Sequence, residues 1–207
     1  MSNSEKKIRF SRIAPCLLAI IVDNLGFGLV YPVFASLFTE RTPLISGAGP
    51  ELRAFFLGLS YLLYPLCMFF GASFLGDLSD MLGRKRVVLI CMLGITISFL
   101  FMGFGITFTS LFLLLLGRAL SGLFAGSQPI VQASIIDQST SETKAFNMSL
   151  IGLTLSLGLI LGPIIGGFFS DPELADAFGY STPFYISAAI AGICVLWVQF
   201  SFEENCC

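Results

Sequence analysis

Six long apolar runs constrain this 207-residue sequence more than any other feature. An apolar helix needs about 20 residues to cross the hydrocarbon core of a bilayer. Runs of that order occupy roughly residues 13–38, 55–75, 87–107, 110–135, 147–169 and 183–202. We therefore predict an all-α membrane protein whose residues 13–202 form a bundle of six transmembrane helices, between tails at residues 1–12 and 203–207.

The composition excludes most other kinds of protein. Hydrophobic residues make up 56% of the chain and charged residues only 12%, whereas a soluble domain has about 25% charged residues. A water-soluble protein of this size could not cover so much apolar surface. The same figures exclude a disordered chain, a disulfide scaffold and a protein that binds nucleic acid.

The sequence also lacks the residue patterns of an enzyme or a metal site. It has no histidine, no pair of carboxylates at membrane depth, no G-x-S-x-G and no phosphate-cradling loop. We therefore predict no catalytic residues, no cofactor and no metal. Four cysteines within the apolar runs are interpreted as small apolar residues: Cys16, Cys67, Cys91 and Cys194.

The uneven distribution of lysine and arginine predicts the orientation in the membrane. Eight lie on one side of the bundle: Lys6, Lys7, Arg9, Arg12, Arg84, Lys85, Arg86 and Lys144. Only Arg41 and Arg53 lie on the other. We therefore expect both termini and the segments 76–86 and 136–145 to be cytoplasmic, in a multi-pass protein of the plasma or inner membrane.

Two ionisable residues, Asp23 and Arg118, lie inside the runs, where charges are costly and usually functional. Asp23 lies roughly 15 Å from the cytoplasmic end of the first helix, at 1.5 Å per residue. Arg118 lies about 18 Å from the cytoplasmic side of a core about 30 Å thick. The matched depths predict that the two charges neutralise one another, with a purely structural buried pair as the alternative.

The segment between the second and third runs, residues 76–86, is predicted to be a loop and reads GDLSDMLGRKR. Its glycines permit a tight turn, an aspartate can cap a neighbouring helix, and the basic triplet favours the cytoplasmic side. The residues concerned are Gly76, Asp80, Gly83, Arg84, Lys85 and Arg86.

The fifth run contains glycines spaced by four, at Gly158, Gly162 and Gly166, followed by Gly167. This spacing places the first three on one face, so that another helix can pack against them backbone to backbone. Pro163 removes one backbone hydrogen bond and should bend the helix. An ordinary packing groove is the alternative interpretation of this pattern.

Residues 76–86 resemble the hallmark of the major facilitator superfamily, G-x-L-x-D-R-x-G-R-[KR]-[KR], with Met81 in place of the usual arginine. In the family this segment is a gate on the cytoplasmic side, and the methionine weakens its charge network. Arg118 with the glycines that follow it is similar to the fourth-helix motif of the family. Residues 158–167 are similar to the fifth-helix motif of its antiporters, and residues 23–32 to the first helix of tetracycline and multidrug efflux members.

The resemblance implies a secondary transporter that exports small hydrophobic solutes or drugs in exchange for protons, by alternating access. Asp23 would gain and lose the proton beside Arg118, and residues 76–86 would latch the cytoplasmic side. Proton-coupled uptake of a nutrient such as an amino acid or sugar is the alternative within the family. A non-transporting membrane protein that associates with a full-length relative is the alternative outside it.

The superfamily has twelve spans in two six-helix halves, each made of two three-helix inverted repeats, with substrate bound between the halves. This sequence resembles the N-terminal half. We therefore expect a fragment or truncated product that pairs with a second six-helix half, from the same gene, from a separate chain or from a second copy. Cys206 and Cys207 at the end of the chain have two interpretations: they are sites of lipidation, or they mark a truncation point.

Polar and aromatic residues in the runs are the candidates for contact with substrate. Gln132 lies about 40° from Arg118 on an unbroken helix, and tyrosines offer rings with hydroxyls. The candidates are Asn24, Tyr31, Tyr61, Gln128 and Gln132. Interhelical hydrogen bonding is an equally good explanation for each.

The orientation can be tested with single cysteines on a cysteine-free background. An impermeant thiol reagent added to intact cells should reach positions near Ser46 and Glu173, because these lie on the side with few basic residues. Labelling of a cysteine placed at Ser79 would reverse the predicted topology.

Overall fold

The computed structural model describes most of the predicted bundle. The described residues are 3–39, 43–45, 47–137, 139–170 and 178–201, with their side chains except those of 3–13, 15, 43, 200 and 201. Several predictions therefore concern residues outside the described part: the C-terminal tail with Cys206 and Cys207, the loop around Glu173, Arg41, and the labelling site at Ser46.

Helices make up nearly all of the described chain. They are α1 (Asn3–Thr39), α2 (Pro50–Leu82), α3 (Arg84–Thr107), α4 (Leu111–Ala125), α5 (Gln128–Asp137), α6 (Lys144–Ser170) and α7 (Thr182–Ser201), with a short 3-10 turn at Pro43–Ile45. Within the described residues, six stretches are long and apolar enough to cross a membrane, counting α4 and α5 together as one. The predicted all-α fold with six transmembrane helices is therefore confirmed.

The fourth span is broken, which its apolar run did not predict. The amide nitrogens of Gly126 and Ser127 bond to the carbonyls three residues earlier, and Val131 then bonds to Ser127 to start α5. Pro129 explains the break, because it has no N–H for a bond to Ala125 and its ring clashes with that carbonyl. The predicted span at 110–135 is therefore one crossing built from two helices. The angle of about 40° between Gln132 and Arg118 assumed an unbroken helix and does not apply across the break.

The predicted loop at 76–86 is almost entirely helical. Helix α2 continues to Leu82 and α3 begins at Arg84, so that only Gly83 separates them. Gly83 has a φ of 87°, which residues with a side chain rarely adopt. Ser79 is buried in this joint, so the neighbouring Asp80, which is exposed, is the better position for the cysteine that tests orientation.

Helix α1 lies at the centre of the bundle and makes its most extensive contact with α6. The glycines of α6 produce this contact. A Cβ on Gly162 would lie 2.6 Å from the Leu25 carbonyl oxygen, and one on Gly166 would lie 2.9 Å from that of Leu29. The backbones of α1 and α6 therefore meet along the glycine face, whereas Gly167 has nothing within 4 Å.

The contact of α4 with α2 is the counterpart of this pair. A Cβ on Gly122 would lie 2.4 Å from the Tyr64 carbonyl oxygen, and one on Gly71 would lie 2.1 Å from that of Leu123. The first span thus packs on the fifth through glycines, and the fourth packs on the second in the same way. Two three-helix inverted repeats produce this pattern, because the first and fourth spans correspond to each other, and so do the second and fifth.

Replacing Gly162 or Gly166 with leucine should destabilise the bundle, because a side chain would enter the space where two backbones meet. The expected loss is about 1–3 kcal/mol or more for each variant, the usual cost of overpacking. Gly167→Leu is the matched control on the same helix and should behave like the parent. Thermal unfolding in detergent measures all three, and equal stabilities would show that the glycine face does not hold α1.

Candidate functional site

Asp23 is buried in the middle of α1. Its side chain is only 7% exposed, and its Oδ1 atom accepts no hydrogen bond within the described part of the chain. A buried carboxylate with an unsatisfied oxygen is unfavourable, and ionisable groups are retained in membrane helices mainly where they function. This residue is therefore the first component of a candidate site.

Arg118 is buried even more completely, at 1% exposure on α4. Its Nε donates a hydrogen bond of 3.2 Å to the Ser60 carbonyl oxygen on α2. The guanidinium carbon lies 4.4 Å from the centre of the Tyr64 ring and 5.9 Å from that of Phe27. A carbonyl and two aromatic faces therefore surround the positive charge, each of them an attractive partner for a cation.

One cavity of about 10 Å³ joins the two charged residues, with room for about one water molecule. Its lining consists of Asp23, Gly26, Phe27, Tyr64, Ile95, Phe99, Arg118, Ser121 and Ala125. The structure thus brings Asp23 and Arg118 to one place, as their matched depths predicted.

The expected direct neutralisation is absent. No ion pair joins Asp23 to Arg118, although both side chains are described; a pair elsewhere joins Arg84 to Asp137. The reason is that the Arg118 guanidinium is directed towards Ser60 and Tyr64 on α2. Depth along a helix could not show which way the arginine side chain points.

The glycines that follow Arg118 fix its position against α2. A Cβ on Gly122 would overlap the Tyr64 backbone, and one on Gly126 would lie 2.4 Å from the Ala72 nitrogen. Arg118 is one turn before Gly122, so this close packing places its side chain beside Ser60 and Tyr64. The arginine and the spaced glycines of this motif are therefore parts of one packing arrangement.

Aromatic rings continue from the cavity towards the exposed side of α1 and α2. Phe27 lies 5.1 Å from both Tyr64 and Tyr31, and Tyr31 lies 5.1 Å from Tyr61, measured between ring centres. The Tyr61 hydroxyl donates to the Tyr31 carbonyl oxygen at 3.1 Å. Tyr31 is 44% exposed, so this aromatic row connects the buried charges with an open surface.

The other substrate candidates are not part of the cavity lining. The Asn24 side chain donates to the Ile20 carbonyl oxygen of its own helix at 2.8 Å. Gln128 and Gln132 lie on α5, beyond the break in the fourth span, and both are half-buried. Ser60 was not predicted to be part of the site. A serine one turn before Tyr64 in an apolar run could have indicated that it lies on the same helix face as that ring.

The cytoplasmic segment forms a second group of charges. Nη1 of Arg84, at the start of α3, forms an ion pair with Oδ2 of Asp137, at the end of α5. Lys85 is half-buried, while Asp80 and Arg86 are exposed at the same joint. Asp137 was not singled out from the sequence, because nothing in the spacing connects the end of the fourth span with this joint.

Two of the residues predicted to be important in the segment 76–86 do not have the predicted role in the described structure. A Cβ on Gly76 would have no atom within 4 Å, so no close approach requires a glycine there. Asp80 caps no helix among the described residues. The ion pair of Arg84 with Asp137 connects α3 with α5 at this end of the bundle.

The chain matches known proteins over most of its length. A family model described as Major Facilitator Superfamily matches residues 16–204. Tetracycline resistance protein, class B, of Escherichia coli is 34% identical over 190 residues, which cover 91% of this chain and 43% of that protein. Multidrug resistance protein MdtG of Klebsiella pneumoniae (strain 342) is 29% identical over 206 residues, covering 99% and 47% respectively.

The chain spans about half the length of these curated relatives. Among solved structures, the human organic anion transporter MFSD10 (TETRAN) matches with a TM-score of 0.73 and 21% identity. The match covers 94% of this chain and 48% of that chain. At this identity the likeness shows a shared fold.

The ion pair between Arg84 and Asp137 should contribute little to stability, because both side chains are partly exposed to solvent. Asp137→Asn is expected to change the free energy of unfolding by less than about 1 kcal/mol. Tyr64→Leu, which leaves the Arg118 cation buried and removes the ring 4.4 Å from it, should cost about 2 kcal/mol or more. Thermal unfolding in detergent compares the two, and a larger loss for Asp137→Asn would contradict this assignment.

Proposed function

Because this chain belongs to the major facilitator superfamily, we propose that it forms one six-helix half of a secondary transporter that exports small hydrophobic solutes in exchange for protons. The observation that carries the proposal is the buried Oδ1 atom of Asp23, which has no hydrogen-bond partner in the described chain. A carboxyl group in such a place can take up a proton and lose it again without breaking any ion pair.

The proposed coupling uses the cavity between Asp23 and Arg118. The carboxyl binds a proton while the cavity is open to one side of the membrane, and loses it to water when the cavity opens to the other. Arg118 keeps its charge throughout, and in the described structure the Ser60 carbonyl and the Tyr64 ring on α2 hold it. Its positive field favours release of the proton when water enters.

The proposed substrate surface is the aromatic row that leads out of this cavity. The exposed ring of Tyr31 and the half-buried ring of Tyr61 can stack on a flat hydrophobic solute. The names of the relatives, which include tetracycline and multidrug resistance proteins, favour export over the uptake of a nutrient. Asn24, Gln128 and Gln132 remain candidates for polar contacts with the solute.

We propose that a second six-helix half covers the helices that are least buried. In the apolar 18-residue segment of each span, only 17% of the residues of α2 and 22% of those of α6 are buried, against 61% for α1. Both helices therefore present broad faces to lipid or to a partner. The joint at Gly83, with Arg84 and Asp137, would close the cytoplasmic side, and both termini would lie on that side.

The proposal is tested in everted membrane vesicles that carry this chain, alone or co-expressed with the C-terminal half of the tetracycline relative. Addition of tetracycline or ethidium to vesicles with a proton gradient should release protons, as detected by a pH-sensitive dye. Asp23→Asn should abolish this release, because an amide cannot exchange the proton. Glu51→Gln, which changes an exposed carboxyl at the start of α2, is the control and should retain it.

Two results would contradict the proposal. Full proton release in Asp23→Asn would remove Asp23 as the proton site. Absence of solute-dependent release in both arrangements of the parent chain would remove proton-coupled export itself.

A further inference from the structure

The partners that hold Arg118 come from α2 and α1, and none of them is a carboxylate. The Ser60 carbonyl accepts from Nε at 3.2 Å, and the Tyr64 ring centre lies 4.4 Å from the guanidinium carbon. Phe27 contributes a more distant ring at 5.9 Å. The Tyr64 ring is therefore the nearest side chain that holds the positive end of Arg118 on the α2 side of the cavity.

Asp23 and Arg118 line the same cavity, and Arg118 is the cationic residue among its lining residues. The other titratable groups that interact with the charge of Asp23 are Tyr64 on α2 and the thiols of Cys91 on α3 and Cys194 on α7. Helix α6 packs on α1 with glycines, and its one titratable residue is Lys144, at its first position. Among the described residues that line the cavity, no other charged side chain would compete if Arg118 were released to pair with Asp23.

Building on the proton exchange proposed above, we propose that Tyr64 is a positioning residue that keeps Arg118 and Asp23 apart. Its ring face and the Ser60 carbonyl hold the guanidinium on α2, so that the Asp23 carboxyl stays unpaired and able to bind a proton. Without the ring, Arg118 turns into the shared cavity and forms an ion pair with Asp23.

The packing of α2 on α4 makes this arrangement responsive to helix movement. Ser60 and Tyr64 lie one turn apart on α2, and the Tyr64 backbone is in close contact with Gly122 on α4. A shift of α2 along α4 therefore withdraws the carbonyl and the ring together. Arg118 then reaches Asp23, and the carboxyl transfers its proton to water as the ion pair forms. Movement of α2 would in this way time the release of the proton.

The test is chemical labelling of Asp23 in the 207-residue chain in native membranes at pH 7, with a hydrophobic carbodiimide and mass spectrometry. This reagent couples to the protonated form of a carboxyl in an apolar site. The parent and Tyr64→Phe, which keeps the ring face, should label alike. In Tyr64→Leu labelling should fall roughly tenfold, because an adjacent arginine strongly favours the ionised carboxylate.

Two further variants separate positioning from simple packing. Phe99→Leu removes a ring from the same cavity lining without a cation–ring contact, and it should label like the parent. In the double variant Tyr64→Leu with Arg118→Gln, labelling should return, because the ion pair can no longer form. If Tyr64→Leu does not fold, fluorinated phenylalanines at position 64 provide a series of nearly constant volume. Labelling should then decrease as fluorination weakens the ring's attraction for the cation.

Several outcomes would overturn the positioning role. One is that Asp23 of the parent is not labelled, and another is that Tyr64→Leu or the fluorinated variants label as strongly as the parent. The role is also excluded if Phe99→Leu loses as much labelling as Tyr64→Leu, or if labelling does not return in the double variant. Labelling does not require transport, so this result is independent of the vesicle experiment. The expected labelling pattern without solute-driven proton release would refute the proposed exchange and leave the arrangement of Tyr64, Arg118 and Asp23 established.

Discussion

The burial of the Arg118 guanidinium is the constraint on which the rest of the site depends. Removing such a charge from water costs several kcal/mol even after the protein relaxes. The Ser60 carbonyl offsets part of this cost, since a hydrogen bond to a charged group contributes about 1.5–3 kcal/mol. A desolvated ring such as that of Tyr64 contributes about 2 kcal/mol more. These contributions are of the same order as the cost, so Arg118 is accommodated without an ion pair to Asp23.

Close glycine contacts between helices position the groups that offset the cost of burying Arg118. On the α4 side, Gly122 brings the Tyr64 backbone against the turn that follows Arg118. On the α6 side, Gly162 holds α1 at backbone distance just after Asp23. Small residues are effective here because helices in lipid associate through close packing and not through a hydrophobic driving force. The same contacts therefore build the bundle and set the distance between its two buried charges.

Much of this arrangement follows from the sequence. The apolar runs predicted six membrane helices, and the spacing of Gly158, Gly162 and Gly166 indicated a face for backbone packing, which α1 occupies. The depths of Asp23 and Arg118 predicted that they would lie close together. These inferences succeed because run length, residue spacing and rise per residue are properties of a single helix.

The errors concern properties that a single helix does not determine. The break before Pro129 depended on one missing N–H, which a count of apolar residues overlooks. The helical joint at Gly83 replaced a predicted loop, because one residue with positive φ was sufficient for the turn. The direction of the Arg118 side chain depended on Ser60 and Tyr64, which reach it from a different helix. Contacts between helices, and not the pattern within one, therefore determined the outcome.

The central claim is that Asp23 and Arg118 share a cavity without an ion pair, and solid-state NMR in lipid bilayers measures this directly. The protein is labelled with ¹³C at aspartate carboxyls and ¹⁵N at arginine guanidinium groups, and carbon–nitrogen dipolar recoupling is recorded. The pair of Arg84 with Asp137 is an internal positive signal that Asp137→Asn should remove. We expect Asp23→Asn to remove no short-range component. Loss of such a component in Asp23→Asn would show that the two buried charges are paired and would contradict the claim.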